Sequence, residues 1–158
     1  MTREEEIAAI LGVCAGESFA VFAFAGDGAG APPYSAVMFF AETRELGLIF
    51  ATSPGSMKGR YLQPGNGVCA QIDTRGVGLA NMSQFARLTV QGRLRRVDAG
   101  PERDALVATY LAQLPNAMVF VDRPGIEVFL LEPAFAVCAR GLFERFEVEF
   151  PGNASGSS

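Results

Sequence analysis

Apolar residues recur at helical spacing near the start of the chain and then in short runs of strand length. Ile7, Ile10, Leu11 and Cys14 share one helical face, and Thr2 with Glu5 three residues on has capping-box spacing. A short amphipathic helix is predicted there. Residues 18–25 (SFAVFAFA), 34–41 (YSAVMFFA) and 46–52 (LGLIFAT) read as three strands, separated by the turn-rich stretch 26–33 and the polar turn 42–45. Their succession predicts an antiparallel meander. Ser53, Pro54 and Gly55 then break the third strand, and Ser56 suits the N-cap of a short helix to about residue 62, with Lys58 in its first turn.

Residues 67–73 read as a fourth strand and 74–80 as a loop. Over 87–95 polar and apolar residues alternate, the clearest half-buried strand in the chain. Pro101 suits a helix start, and Leu106, Val107, Tyr110, Leu111 and Leu114 give that helix a stripe before Pro115 ends it. Strands are expected at 126–131 and 134–139, flanking Glu132 and Pro133, and a last one at 143–150. Residues 1–150 thus form one domain, mainly β with a few helices (α+β), and the small polar residues 151–158 are expected to be a disordered tail. Several strands are apolar at nearly every position, so a barrel interior would cover one face and a helix or dimer partner the other.

Composition narrows the function. Hydrophobic residues are 49% of the chain and charged ones 19%, more apolar surface than a solvated monomer needs. The net charge of −4 offers nucleic acid no general attraction, no apolar run is long enough to span a membrane, and the acidic N-terminus lacks a secretory pattern. Cytoplasmic residence is the expectation, with neither nucleic acid nor membrane as partner. The chain has no histidine, which excludes a Ser-His-Asp triad, a Cys-His pair and histidine-based metal sites. Cys14, Cys69 and Cys138 lack metal or disulfide spacing, so no metal is expected. If the protein is an enzyme, its chemistry is expected to come from a bound cofactor. The arginines of the 87–96 strand suit a solvated face, Glu4 to Glu6 suit a helix's first turn, and Tyr34, Tyr61 and Tyr110 suit packing.

One segment carries candidate chemistry. Phe50, Ala51 and Thr52 end a strand, Ser53, Pro54 and Gly55 turn, and Ser56, Met57 and Lys58 start a helix, so hydroxyls, free N–H groups and a lysine gather as a phosphate cradle would need. Walker spacing is absent. From residue chemistry alone, an ordinary capped helix with a solvated lysine explains the segment slightly better.

The segment resembles the FYTNxxSRK signature of pyridoxamine 5'-phosphate oxidases, with Phe50, Thr52, Gly55, Ser56 and Lys58 at matching positions. Residues 35–40 (SAVMFF) resemble the family's flavin-lining strand, and 87–92 its strand that ends in glycine. The resemblance implies an antiparallel split β-barrel of FMN-binding type that forms a homodimer with the cofactor at the interface. It also implies that Thr52, Ser56 and Lys58 bind the FMN phosphate, with Met57 a further cofactor-binding position between them. Backbone groups of Ala36, Val37, Met38, Phe50 and Ala51 would border the ring and ribityl chain, Ser35 is a further cofactor-binding position at the start of that strand, and Arg87 would stand where the family often places glutamine. Met57 and Ser35 replace family arginines, and the chain lacks the tryptophan of the segment that grips pyridoxal, which argues against vitamin B6 as substrate. The function implied is flavin-mediated hydride transfer to or from a small molecule. The alternative is a flavin or haem carrier or sensor without turnover.

Overall fold

In a computed structural model, residues 1–55, 57–78 and 80–153 are described, without the side chains of residues 57, 58 and 153. Helix α1 (Arg3–Ala15) starts on the predicted capping box: the Glu5 N–H donates to the Thr2 hydroxyl at 3.2 Å, and the Thr2 N–H donates to the Glu5 carboxylate at 2.6 Å. Ile10, Val13 and Cys14 drive its inner face into the core. Beyond it run β1 (Phe19–Phe24), β2 (Tyr34–Phe39), β3 (Ala41–Glu42), β4 (Leu48–Thr52) and β5 (Gly67–Asp73). The second half holds α2 (Arg75–Gly78), β6 (Ala86–Val97), α3 (Pro101–Gln113), α4 (Met118–Val121), β7 (Glu127–Arg140) and β8 (Glu144–Glu149).

The strands form one antiparallel sheet in the order β2-β1-β5-β6-β7-β4-β3, with β8 on the far half of β7. The sheet curls until β2 approaches β4, closing a split barrel around Phe22, Phe24, Phe50 and Phe129. The expected meander of the first three strands is therefore corrected: β1 and β2 form a hairpin, but β4 pairs with β7. Phe40 explains the change. Its side chain is buried and its N–H donates to the Ser18 carbonyl at 3.1 Å, so the run read as one strand breaks there. The chain then crosses the split and turns back through Thr43–Gly47 at the opposite edge. Leu46 adopts φ 64° in that turn, and the Thr43 N–H donates to the Gly47 carbonyl at 2.8 Å.

Every residue of β4 is buried. Leu48 and Phe50 face the barrel interior, whereas Ile49 and Ala51 join a second cluster with Tyr110 of α3 and Val121 of α4. Of the two covers expected for a doubly apolar strand, a helix supplies the outer one here. Glu132 and Pro133 do not divide two strands as expected. They sit inside β7, where the register against β6 shifts between Gln91 and Gly92. A bulge is one of the few sheet positions that tolerates proline, which lacks the N–H a regular ladder needs. At the other end, Pro151–Asn153 make a 3-10 turn, and the rest of the expected tail lies outside the described residues.

Candidate functional site

The two edges of the split frame a cleft of about 670 Å³. Val37, Met38 and Phe39 of β2 line one side, and Ala51 and Thr52 at the end of β4 form its base. Tyr110, Gln113 and the turn that follows them complete the wall. Strand alternation sets the roles: Val37 and Phe39 point outward from β2 while Met38 is buried. Thr52 is the buried polar residue of the described chain, 3% exposed at the end of a strand otherwise apolar. Residues 37–38 and 51–52, which the family resemblance implies for one ligand, are thus brought together by the topology.

Other predicted positions play different parts. Phe50 lies within the barrel, its ring centroid 4.7 Å from that of Phe22 and 5.4 Å from that of Phe129, so only its backbone faces the β4 edge. Ser35 and Ala36 stand on the first half of β2, outside the cleft lining among the described residues. Tyr34 and Tyr61 stack with centroids 5.1 Å apart, which holds the start of β2 beside the segment that follows β4. Arg87 also stands apart from this chain's cleft: it is exposed on β6, in register with Asp73 and Ala139, its guanidinium 5.9 Å from the Phe85 ring centroid.

After β4 the chain turns through Pro54 and Gly55 into a short 3-10 helix, Met57–Arg60, which replaces the longer helix expected to residue 62. Gly59 accounts for the tightness. A Cβ there would lie 1.8 Å from the Pro54 carbonyl oxygen, so the segment folds back on itself in a way only glycine permits. Ser56 and the side chains of Met57 and Lys58 lie outside the described residues. A helix this short has little macrodipole, so the dipole part of the phosphate argument falls away; hydroxyls, backbone N–H groups and the lysine remain.

Sequence reasoning missed the wall. Gln113 and Leu114 end α3, Pro115–Ala117 form a 3-10 turn, and Phe120 lies on α4. The apolar run 117–121 was the available signal, obscured because Pro115 reads as a terminus. Burial raises the pKa of the Tyr110 hydroxyl in this wall. Farther out, the Arg75 guanidinium hydrogen-bonded to Asp73 lowers that carboxyl, while burial and the nearby Asp73 charge raise Glu17. No described lining residue is charged, and none is an acid or base poised near neutrality. No cluster of possible metal ligands occurs among the described residues. No described helix is long and apolar enough to cross a membrane.

No protein-family model matches the sequence, and no curated protein does. Solved structures share the fold. A haem-binding protein of Mycobacterium smegmatis aligns with a TM-score of 0.76 at 17% identity, over 94% of this chain and 58% of the other. A Clostridium acetobutylicum protein related to general stress protein 26, of the pyridoxinephosphate oxidase family, aligns at 0.67 and 12% identity over 96% and 99%. The FAD-binding protein of M. smegmatis aligns at 0.59 and 15% identity over 90% and 98%. The chain therefore spans little more than half of the haem-binding protein but nearly all of the other two. It has the split-barrel fold of the pyridoxamine 5'-phosphate oxidase type.

Proposed function

From a split barrel of this type, we propose that the protein is an FMN-dependent oxidoreductase acting on a small molecule, with the flavin ring in the cleft between β2 and β4. The observation that carries this reading is the convergence of Val37, Met38, Ala51 and Thr52 on one cleft of ligand size. The fit is chemical as well. A flat, mostly apolar ring suits the apolar lining, while Thr52, Ser56 and Lys58 would hold the phosphate at the cleft's β4 end. Bound FMN would supply hydride acceptance and return, a chemistry that protein side chains do not themselves provide. The protein's own part is to orient the ring by backbone groups of β2 and β4 and to keep water from it with the wall that ends α3.

Reconstitution tests the reading. Protein refolded with excess FMN and passed through gel filtration should carry a flavin spectrum, and anaerobic NADH or NADPH should bleach it. Colourless protein would sink the proposal, whereas colour without reduction by either donor would leave a carrier. A second reading, a haem carrier, is favoured by the fold match to the M. smegmatis haem-binding protein. Burial disfavours a Tyr110 phenolate, so among the described cleft residues Met38 would be the one to bind a haem iron. A sharpened and shifted Soret band on haemin titration, reverting to that of free haemin in Met38→Leu, would support that reading over the first.

A homodimer belongs to the same proposal. Phe19, Val37 and Phe39 are 53%, 66% and 48% exposed on the outer face of β1 and β2, a patch of aromatic and branched side chains that also lines the cleft. Light scattering at micromolar concentration should give twice the mass of one chain, and Val37→Glu should shift it toward one. A monomer throughout would remove the partner from the site.

A further inference from the structure

The wall of the cleft points to the kind of molecule that shares it with the flavin. We infer that this second occupant is an uncharged, largely apolar ring compound bearing a hydrogen-bonding oxygen. The inference rests on the flavin reading, because a ring seated against β2 and β4 leaves its other face to the wall.

Leu114, Pro115, Ala117 and Phe120 supply the apolar surface of that wall, and Phe19 and Phe39 flank the opening. No described lining residue carries a charge that could compensate an anionic or cationic substrate. Moving a carboxylate or ammonium from water into such a cleft without a counter-charge opposes binding, whereas an apolar ring gains from the same transfer.

Two amides in the wall differ in availability. Gln113 is engaged with the edge strand: its Nε2 donates to the Glu42 carbonyl at 3.0 Å, and its Oε1 accepts from the Glu42 N–H at 3.3 Å. This pairing caps β3 and fixes the end of α3, so Gln113 serves as a positioning residue. Asn116 is exposed and its side chain makes no hydrogen bond among the described residues, although it lines the cleft. Its amide can both donate and accept, which suits one hydroxyl or carbonyl on an otherwise apolar ring.

The test uses two probes built on the same ring, 2-naphthol and 2-naphthoate, in equilibrium dialysis against FMN-loaded protein. The neutral probe should bind at least ~10-fold tighter than the anion. Asn116→Lys, at an exposed position, should close most of that gap by strengthening naphthoate binding. Equal or tighter binding of naphthoate by the wild type would overturn the inference, as would no detectable binding of 2-naphthol. Unchanged affinities in Asn116→Lys would also overturn it, by placing the probes elsewhere. Loss of FMN on gel filtration identifies failure of the flavin reading separately. In that event dialysis against flavin-free protein still reads the cleft: preference for naphthol supports the ligand class, and preference for naphthoate refutes it.

Discussion

Gly92→Ala is expected to destabilise the protein by roughly 3 kcal/mol or more, enough to leave much of a marginally stable domain unfolded. A Cβ at this position would lie 1.9 Å from the Glu132 carbonyl oxygen and 2.8 Å from its carbon. Both are backbone atoms of β7, so no side chain can swing aside. Relief would need β6 and β7 to separate at their register shift, between Val90 and Leu94 on one strand and beside Leu131 on the other, all buried. Two other glycines calibrate the experiment. At Gly47 an added methyl meets the ends of the Leu130 and Thr43 side chains at 3.0 Å, which can yield, so a smaller loss is expected. At Gly12, inside α1, the methyl enters open space, and Gly12→Ala should stabilise by about 0.5 to 1 kcal/mol through helix propensity. Urea unfolding of the three variants would show the order. A Gly92→Ala midpoint indistinguishable from wild type would mean that the β6–β7 bulge is not built as described.

Gly92 also shows why some of the fold could be read from the chain and some could not. Alternation over 87–95 announced β6, and seven consecutive residues announced β5 with its observed ends, because both patterns are local. Pro133 read as a break because proline ends an ordinary strand, and only the partner strand reveals a bulge opposite Gly92 that lets β7 continue. The pairing of β4 with β7 was hidden for a related reason. The two strands lie far apart in the chain, and apolar runs state that they need cover without stating which element provides it. The buried Phe40, which ends β2 and redirects the chain, differs in no obvious way from Phe39 beside it.

The candidate site divides along the same line. Its floor lies on two strands whose residues matched a known pattern, so Val37, Met38, Ala51 and Thr52 could be named from the sequence. Its wall comes from the end of α3 and the residues after Pro115, which matched no such pattern and meet the strands only through tertiary packing. The phosphate segment is intermediate. Its turn was legible in Pro54 and Gly55, but Gly59 shortened the helix because the Pro54 carbonyl fills the space a Cβ would take. For the proposed phosphate site, that result removes the helix dipole and leaves the hydroxyls, the backbone N–H groups and the lysine.

Lys58→Ala should therefore weaken FMN binding by about ten- to a hundredfold, the equivalent of roughly 1.5 to 3 kcal/mol for a charge-assisted hydrogen bond. The proposed contact is with the phosphate, and riboflavin has none, so riboflavin affinity should change little. This contrast separates a phosphate contact from a general loss of structure, which would weaken both ligands together. With Ser35 and Met57 standing where related signatures carry arginine, Lys58 is the one cation of the matched segments at a phosphate position. Its removal should also flatten the salt dependence of FMN affinity, since screening acts on the charge pair that is lost. Titrating wild type and mutant with FMN and riboflavin at low and moderate salt supplies the affinities required. If FMN affinity is unchanged, or riboflavin falls by the same factor, the lysine is a solvated side chain and the phosphate is held elsewhere. A selective, salt-sensitive loss would instead place the phosphate at the β4 end of the cleft and orient the ring toward Val37 and the wall beyond α3.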